Sequence, residues 1–133
     1  MRRLWYLARI RLCRGITASG YGWICGCRIR ESRDLAGKCQ NLPDHLQYDV
    51  AFARVLLSSD HPERAKVQVD RALRDARAHG FVGIEFDAML VTANLEKRSG
   101  HGAIAREQLA SLEHAAREKG FMLVARKAAA ARG

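Results

Sequence analysis

Residues 51–81, AFARVLLSSDHPERAKVQVDRALRDARAHGF, align without a gap with residues 91–121, VTANLEKRSGHGAIAREQLASLEHAAREKGF, at a shift of 40 positions. Seven of the shared residues are Ala53 and Ala93, Ser59 and Ser99, His61 and His101, Ala65 and Ala105, Ala76 and Ala116, Gly80 and Gly120, and Phe81 and Phe121. A fixed period between about 20 and 50 residues is typical of proteins built from stacked repeats.

Each repeat is predicted to be a pair of helices. Apolar residues recur at spacings of three and four, which places them on one helix face; in the first repeat they are Ala65, Val69, Ala72, Leu73 and Ala76. The first pair is predicted over about 45–58 and 61–79, and the second over about 84–98 and 103–119. A fifth helix over about 121–132 would cap the array, with Leu123, Val124 and the alanines at 128–131 on its apolar side.

Short polar and glycine-containing stretches predict where these helices begin and end. Two residue pairs have the spacing of a capping box, in which a side chain accepts a hydrogen bond from a free backbone N–H: Asp44 with Gln47, and Asp60 with Glu63. Pro62 is tolerated in a first turn, where its missing N–H costs no hydrogen bond. Gly80 and Gly120 are expected to end helices with a positive φ, each followed by a phenylalanine that packs back on the last turn.

Small residues within the repeats favour close helix packing. Alanine at 53, 65, 93 and 105 would let neighbouring helices approach the lower end of the usual spacing of about 8–10 Å. The second unit resembles the tetratricopeptide repeat family through Ala93, Gly100, Ala105, Leu109 and Leu112, with leucine where the last alanine is usual. The first unit fits through Ala53, Ala65, Val69 and Ala72, with Asp60 where glycine is usual.

The resemblance departs from the family in length. The 40-residue period exceeds the usual period of about 34, and the closing proline is absent. The chain is therefore similar to the longer repeats of bacterial regulators and kinase-linked proteins, over residues 45–132 only.

The resemblance implies an all-α fold, a TPR-like α-solenoid array of antiparallel helix hairpins at residues 42–133 with a C-terminal capping helix. It also implies a non-catalytic protein-protein interaction or scaffold module, one reading being the C-terminal part of a larger bacterial regulatory protein. The concave surface would hold a protein partner or another part of a larger chain. Arg54, Arg98 and Arg126 are candidate contacts on polar faces, although the sequence does not assign the concave face.

Residues 1–41 form a segment of different composition. Residues 1–47 carry nine basic and three acidic side chains, a net +6 of the chain's +9, and contain all four cysteines and both tryptophans. With Trp5, Tyr6, Tyr21 and Trp23, the basic segment supports an alternative function as a nucleic-acid-binding accessory protein, or binding to anionic lipid.

The role of residues 1–41 in the fold has several interpretations. At a shift of 80, Gly20 aligns with Gly100, so the segment is either a degenerate repeat or a poorly ordered extension, including a gene-start artefact. About three repeats are usually needed for a stable stack. Three alternatives would supply the missing contacts. The N-terminal segment completes the stack, the chain self-associates, or the sequence is a fragment of a larger regulator that has further repeats.

No catalytic or ligand-binding motif stands out. The motifs GxxxxGK[ST], HExxH and GxSxG are absent. A zinc site is disfavoured because only one residue separates Cys25 from Cys27, where zinc knuckles have about two to four; Cys13 and Cys39 complete the set, which is interpreted as reduced thiols. The glycines around Gly22 lack the preceding strand of a phosphate-binding loop. We therefore expect no enzyme activity and no catalytic, cofactor-binding or metal-ligating residues.

The sequence also bears on compartment. No stretch approaches the roughly 20 apolar residues of a transmembrane helix. Arg9 and Arg11 interrupt the apolar start before it reaches the length of a signal peptide. A cytoplasmic protein without a membrane span is expected.

Overall fold

The computed structural model describes residues 41–133, which form five α-helices and contain no strand. The helices are α1 (Leu42–Ser58), α2 (Pro62–Ala78), α3 (Val82–Arg98), α4 (Gly102–Glu118) and α5 (Met122–Arg132). Each of the first four has 17 residues, and three residues join each helix to the next. The prediction of an all-α array of antiparallel helices is confirmed.

The same turn geometry joins all five helices. The middle residue of each turn has a positive φ: Asp60 (61°), Gly80 (71°), Gly100 (87°) and Gly120 (81°). The third residue of each turn donates its N–H to the carbonyl five residues earlier, as Phe81 does to Ala76 at 2.9 Å and Phe121 to Ala116 at 2.7 Å. This is the Schellman arrangement, which satisfies carbonyls at the helix end. The prediction that Gly80 and Gly120 end helices is confirmed.

The start of α1 differs from the sequence prediction. The helix begins at Leu42 rather than near His45, with Asn41 as the N-cap residue and no side-chain capping bond. Asp44 already lies in the first turn, where its Oδ2 accepts a hydrogen bond from Nδ2 of Asn41 at 3.0 Å. The prediction of a capping box formed by Asp44 and Gln47 was therefore wrong. Pro43 allows the earlier start, because its fixed φ suits a first turn and its missing N–H needs no partner.

The prediction of a capping box formed by Asp60 and Glu63 was also wrong. His61 is the N-cap residue of α2, and it makes no side-chain capping bond. Asp60 takes the left-handed position that glycine takes in the other three turns, so it lacks the extended backbone of an N-cap residue. Pro62 does occupy the first position of α2, as predicted. The remaining boundaries differ from the prediction by at most two residues.

The five helices form two layers. Helices α1, α3 and α5 lie side by side, and α3 contacts all four other helices. Helices α2 and α4 contact their sequence neighbours but not each other. Alternate helices therefore meet only in the layer of α1, α3 and α5. We call this the inner layer, since its closer spacing makes it the concave side, and we call α2 and α4 the outer layer.

Two apolar clusters hold the layers together, and α3 contributes to both. One joins α1, α2 and α3, and the other joins α3, α4 and α5. The four alanines predicted at close helix contacts, at 53, 65, 93 and 105, are at most 1% exposed. Five predicted core residues depart from the prediction: Leu73, Ala129 and Ala131 are half-buried, and Leu123 and Ala130 are exposed.

A buried carboxylate fixes α5 against α4. Glu113 is 6% exposed, and its Oε1 lies 2.6 Å from Nη2 of Arg117, one turn later in α4. Its Oε2 lies 3.2 Å from Nη2 of Arg132 at the end of α5, an ion-pair contact without hydrogen-bond geometry. A buried charge needs such partners to offset its loss of hydration. The contact fixes the last helix in the array.

Candidate functional site

An open groove lies at one end of the inner layer, where α3 and α5 begin. Its volume is about 640 Å³, and α1 contributes Gln47 to its edge. Asp87 of α3 is the acidic residue at its wall. The apolar lining comes from the turns before α3 and α5 and from their first residues: Phe81, Val82, Ile84, Phe121, Met122, Leu123 and Val124. The groove is therefore an apolar surface with few polar groups.

The repeat places this lining at one end of the array. Residues 80–84 read GFVGI and residues 120–124 read GFMLV, 40 positions apart. In both segments the glycine reverses the chain, phenylalanine precedes the helix, and the fifth residue enters the core; Ile84 is 7% and Val124 8% exposed. Because α3 and α5 run in the same direction, the two segments lie beside each other. The patterns within single helices did not predict this groove, although the repeated Gly-Phe pairs were a signal for it.

Gly83 gives Phe121 its place in the groove. A Cβ at Gly83 would lie 3.3 Å from Cε1 of Phe121, closer than ordinary van der Waals contact. The Phe121 ring also meets Phe86 edge to face, with centroids 5.3 Å apart and an interplanar angle of 88°. Nζ of Lys119 lies 5.7 Å from the centroid of the Phe86 ring. Phe121 is thus anchored on α3, although part of its ring reaches solvent.

The C-terminal side of the groove exposes three consecutive apolar residues. Phe121 is 36% exposed, Met122 51% and Leu123 64%. Exposed Val67 and Ile104, by contrast, are single residues on the two outer helices. Contiguous exposed apolar surface is typical of interaction sites, whereas isolated apolar residues are normal. Leu123, which was expected in the core, belongs to this surface.

Two of the three candidate arginines tie neighbouring elements together. Arg54 of α1 reaches Oδ1 of Asp87 in α3 with Nη2 at 3.2 Å. Arg98 donates Nη1 to the carbonyl of Leu57 and places Nη2 3.4 Å from Oδ1 of Asp60. Both arginines therefore link the first repeat to the second. Arg126 is exposed on α5.

A half-buried carboxylate lies between α1 and α2, on side chains that do not line the groove. Oδ1 of Asp49 accepts a hydrogen bond from Nε2 of Gln68 at 2.6 Å. Burial raises the pKa of Asp49, because loss of hydration disfavours its charged form. Arg71 and Gln68 oppose this shift by stabilising the carboxylate.

The equivalent histidines of the two repeats lie at helix junctions. His61 and His101 are the N-cap residues of α2 and α4. Nδ1 of His101 lies 2.9 Å from Oε2 of Glu96 across the turn. Residues 41–133 hold no group of three or more His, Cys, Asp or Glu side chains placed to bind a metal ion.

Other sequence predictions concern residues that the structure does not describe. The four cysteines, the glycines around Gly22 and the basic, aromatic N-terminal segment all lie outside residues 41–133. Among the described helices, none combines the length and the apolar character that a membrane crossing requires.

Comparison with known proteins gives no indication of function. No protein-family model, curated protein or solved structure matches the chain. We therefore infer function from the residues of the groove and from their position in the array.

Proposed function

We propose that this chain is a non-catalytic protein-interaction module of the tetratricopeptide-like type, and that its inner layer holds an apolar segment of a partner protein. The exposed apolar run at residues 121–123, on the wall of a groove of about 640 Å³, is the observation that carries the proposal. Full burial of a leucine or methionine side chain contributes roughly 1.5–3 kcal/mol. Covering Met122 and Leu123 would therefore supply a useful part of a binding free energy.

The polar groups of the groove define the partner further. Asp87 is already paired with Arg54, and Gln47 is a neutral side chain at the edge. The groove therefore offers few unpaired charged groups to a ligand that is recognised mainly by its charge. An amphipathic protein segment matches better, because it presents several apolar side chains on one face. The proposed partner segment therefore carries at least two large apolar side chains on the face that enters the groove.

Site-specific cross-linking tests this proposal. A photoreactive amino acid would replace Leu123 in the groove or, as a matched control, Val67 on the outer layer, which is 71% exposed. After irradiation in living cells, we expect a discrete adduct with a second protein from position 123 and none from position 67. Equal adducts from both positions would contradict the proposal, as would no intermolecular adduct from position 123.

Reconstitution with the purified cross-linked protein supplies the quantitative test. Leu123→Glu should weaken binding at least about tenfold, because a charge would replace apolar contact that contributes more than about 1.4 kcal/mol. Val67→Glu should leave the affinity unchanged. Isothermal titration calorimetry measures both values, and an unchanged affinity for Leu123→Glu would place the binding surface elsewhere.

The alternative nucleic-acid function gives a different outcome. Binding through the basic N-terminal residues should weaken steeply with salt and disappear when residues 1–38 are removed. Binding of a protein in the groove should survive the same truncation.

A further inference from the structure

We propose that the groove is occupied by a segment of the same chain, Tyr21-Gly22-Trp23-Ile24, when no partner is bound. This inference concerns only residues of this chain and does not require that a partner protein exists. Where one does, it would compete with the chain's own segment for the apolar wall formed by Phe121, Met122 and Leu123.

The position of α1 brings the N-terminal residues to the correct end of the array. Helices α1, α3 and α5 alternate with antiparallel neighbours, so all three begin at the same end of the inner layer. The groove lies at that end and includes Gln47, from the second turn of α1. The 40 residues that precede Asn41 therefore join the array beside the groove.

The connecting chain is long enough to reach. Sixteen residues lie between Ile24 and Asn41, and at about 3.3 Å per residue they span at most about 50 Å. Adjacent packed helices are about 8–10 Å apart, so crossing from α1 to the space between α3 and α5 takes roughly 20 Å. The connecting chain is therefore more than long enough for the segment to reach the groove.

The chemistry of the segment matches the lining. Tyr21, Trp23 and Ile24 offer three large side chains with apolar surface to an apolar groove, and Gly22 allows the backbone to come close. The other aromatic stretch, at residues 4–7, is about twice as far along the chain from Asn41. Since the entropy cost of closing a loop rises with its length, the nearer segment is favoured.

The distribution of tryptophan gives this inference a direct reporter. The chain has two tryptophans, Trp5 and Trp23, and none in residues 41–133. In the full-length Trp5→Phe variant all tryptophan emission comes from Trp23. We expect emission that is blue-shifted from that of free N-acetyltryptophanamide and a lower acrylamide quenching constant, because the groove would shield the indole from water and quencher.

Variants of the groove decide whether that shielding comes from the proposed contact. In the Trp5→Phe background, Leu123→Glu should shift the emission to the red and raise the quenching constant at least twofold. Val67→Glu, at a similarly exposed apolar position on the outer layer, should change neither. Far-UV circular dichroism checks that each variant keeps its helices. Leu123→Gln is a milder second variant, with the same direction of change expected.

Four results would overturn the inference. Trp23 could already emit and quench like the free amide, its emission could be insensitive to both Leu123 variants, or Val67→Glu could shift it equally. A blue shift that disappears on dilution would assign the contact to a second copy of the chain and would also overturn it. Since no partner is present in this experiment, its failure leaves the cross-linking test of the proposed function unaffected.

Discussion

Helices α2 and α3 have the same length and end in the same kind of turn, but they differ in how much of their surface is covered. Every residue at positions 82–96 of α3 is buried or half-buried. Helix α2 buries one stripe of four small or medium residues and exposes most of its other side chains; the stripe is Ala65, Val69, Ala72 and Ala76. The difference arises because α3 contacts four helices and α2 only its two sequence neighbours. Position in the array therefore decides how much surface a helix has left for other contacts.

The largest expected effect comes from opening a cavity under an outer helix. Leu109 of α4 is 1% exposed, and Leu109→Ala should cost about 2–5 kcal/mol of the free energy of unfolding. Ile104, on the exposed side of the same helix at 50%, is the matched position, and Ile104→Ala should change stability by less than about 0.5 kcal/mol. Urea unfolding followed by circular dichroism measures both. Similar losses for the two variants would contradict the one-sided burial of α4.

The next effect tests close packing between the layers. Ala65 of α2 is fully buried against the inner layer, and Ala65→Leu should overpack the first hairpin by roughly 1–3 kcal/mol. Ala51 lies on the exposed side of α1, so Ala51→Leu should alter stability by less than about 0.5 kcal/mol. Thermal unfolding of the two variants provides the comparison. An Ala65→Leu protein as stable as the parent would show that the layers are not in close contact there.

Local sequence patterns were sufficient to predict the five helices and the buried face of α2. The spacing of Ala65, Val69, Ala72 and Ala76 correctly identified the buried stripe of α2, because amphipathic periodicity reflects contact with one side. Gly80 and Gly120 identified helix ends, because glycine takes a positive φ without steric cost. The capping boxes failed, because their spacing also occurs where the aspartate lies in a first turn or in the turn itself.

The groove could not be predicted from local sequence patterns. It depends on which helices meet across the array and on how far their ends project, neither of which a pattern within one helix specifies. Leu123 illustrates this, since its apolar character predicted core although it lies on the groove wall with 64% exposure. The sequence also left the concave face unassigned, whereas the contacts of α1, α3 and α5 identify it.

Two neighbouring glycines predict opposite effects of the same substitution. Gly100 has a φ of 87°, and a Cβ there would meet no atom within 4 Å, so Gly100→Ala should cost about 1–2 kcal/mol from backbone conformation alone. Gly102 begins α4 and has open space around its Cα, so Gly102→Ala should stabilise the protein by about 0.4–1 kcal/mol. Chemical denaturation of both variants measures the effects. A Gly100→Ala protein at least as stable as the parent would contradict the left-handed turn.

The smallest predicted effect is a pH-dependent gain in stability when Asp49, at the contact between α1 and α2, is replaced. Burial raises the folded-state pKa of Asp49 above its ordinary value of 3.8, so the folded state binds more protons than the unfolded state between these two values. The contribution of Asp49 to stability therefore falls as pH rises through that window. Asp49→Asn, which keeps an acceptor for Gln68, should stabilise the protein at pH 7 by less than about 1 kcal/mol, given solvent screening. The gain should shrink as pH falls below the raised pKa.

Urea unfolding of the parent and Asp49→Asn at pH 7 and at pH 3.8 checks this sign. A gain that grew towards acid pH would mean that the carboxylate is stabilised in the fold, contrary to its environment. Gln68→Ala is a useful control, since it removes the hydrogen bond while leaving the charge.

The most direct test of the inner layer as the binding surface is amide hydrogen exchange of the full chain, free and bound to the protein captured from position 123. We expect slower exchange in the bound state at the start of α3 and α5, around residues 82–87 and 122–126. On the exposed sides of α2 and α4 we expect no change. Protection confined to α2 and α4, with the starts of α3 and α5 unchanged, would show that the inner layer is not the binding surface.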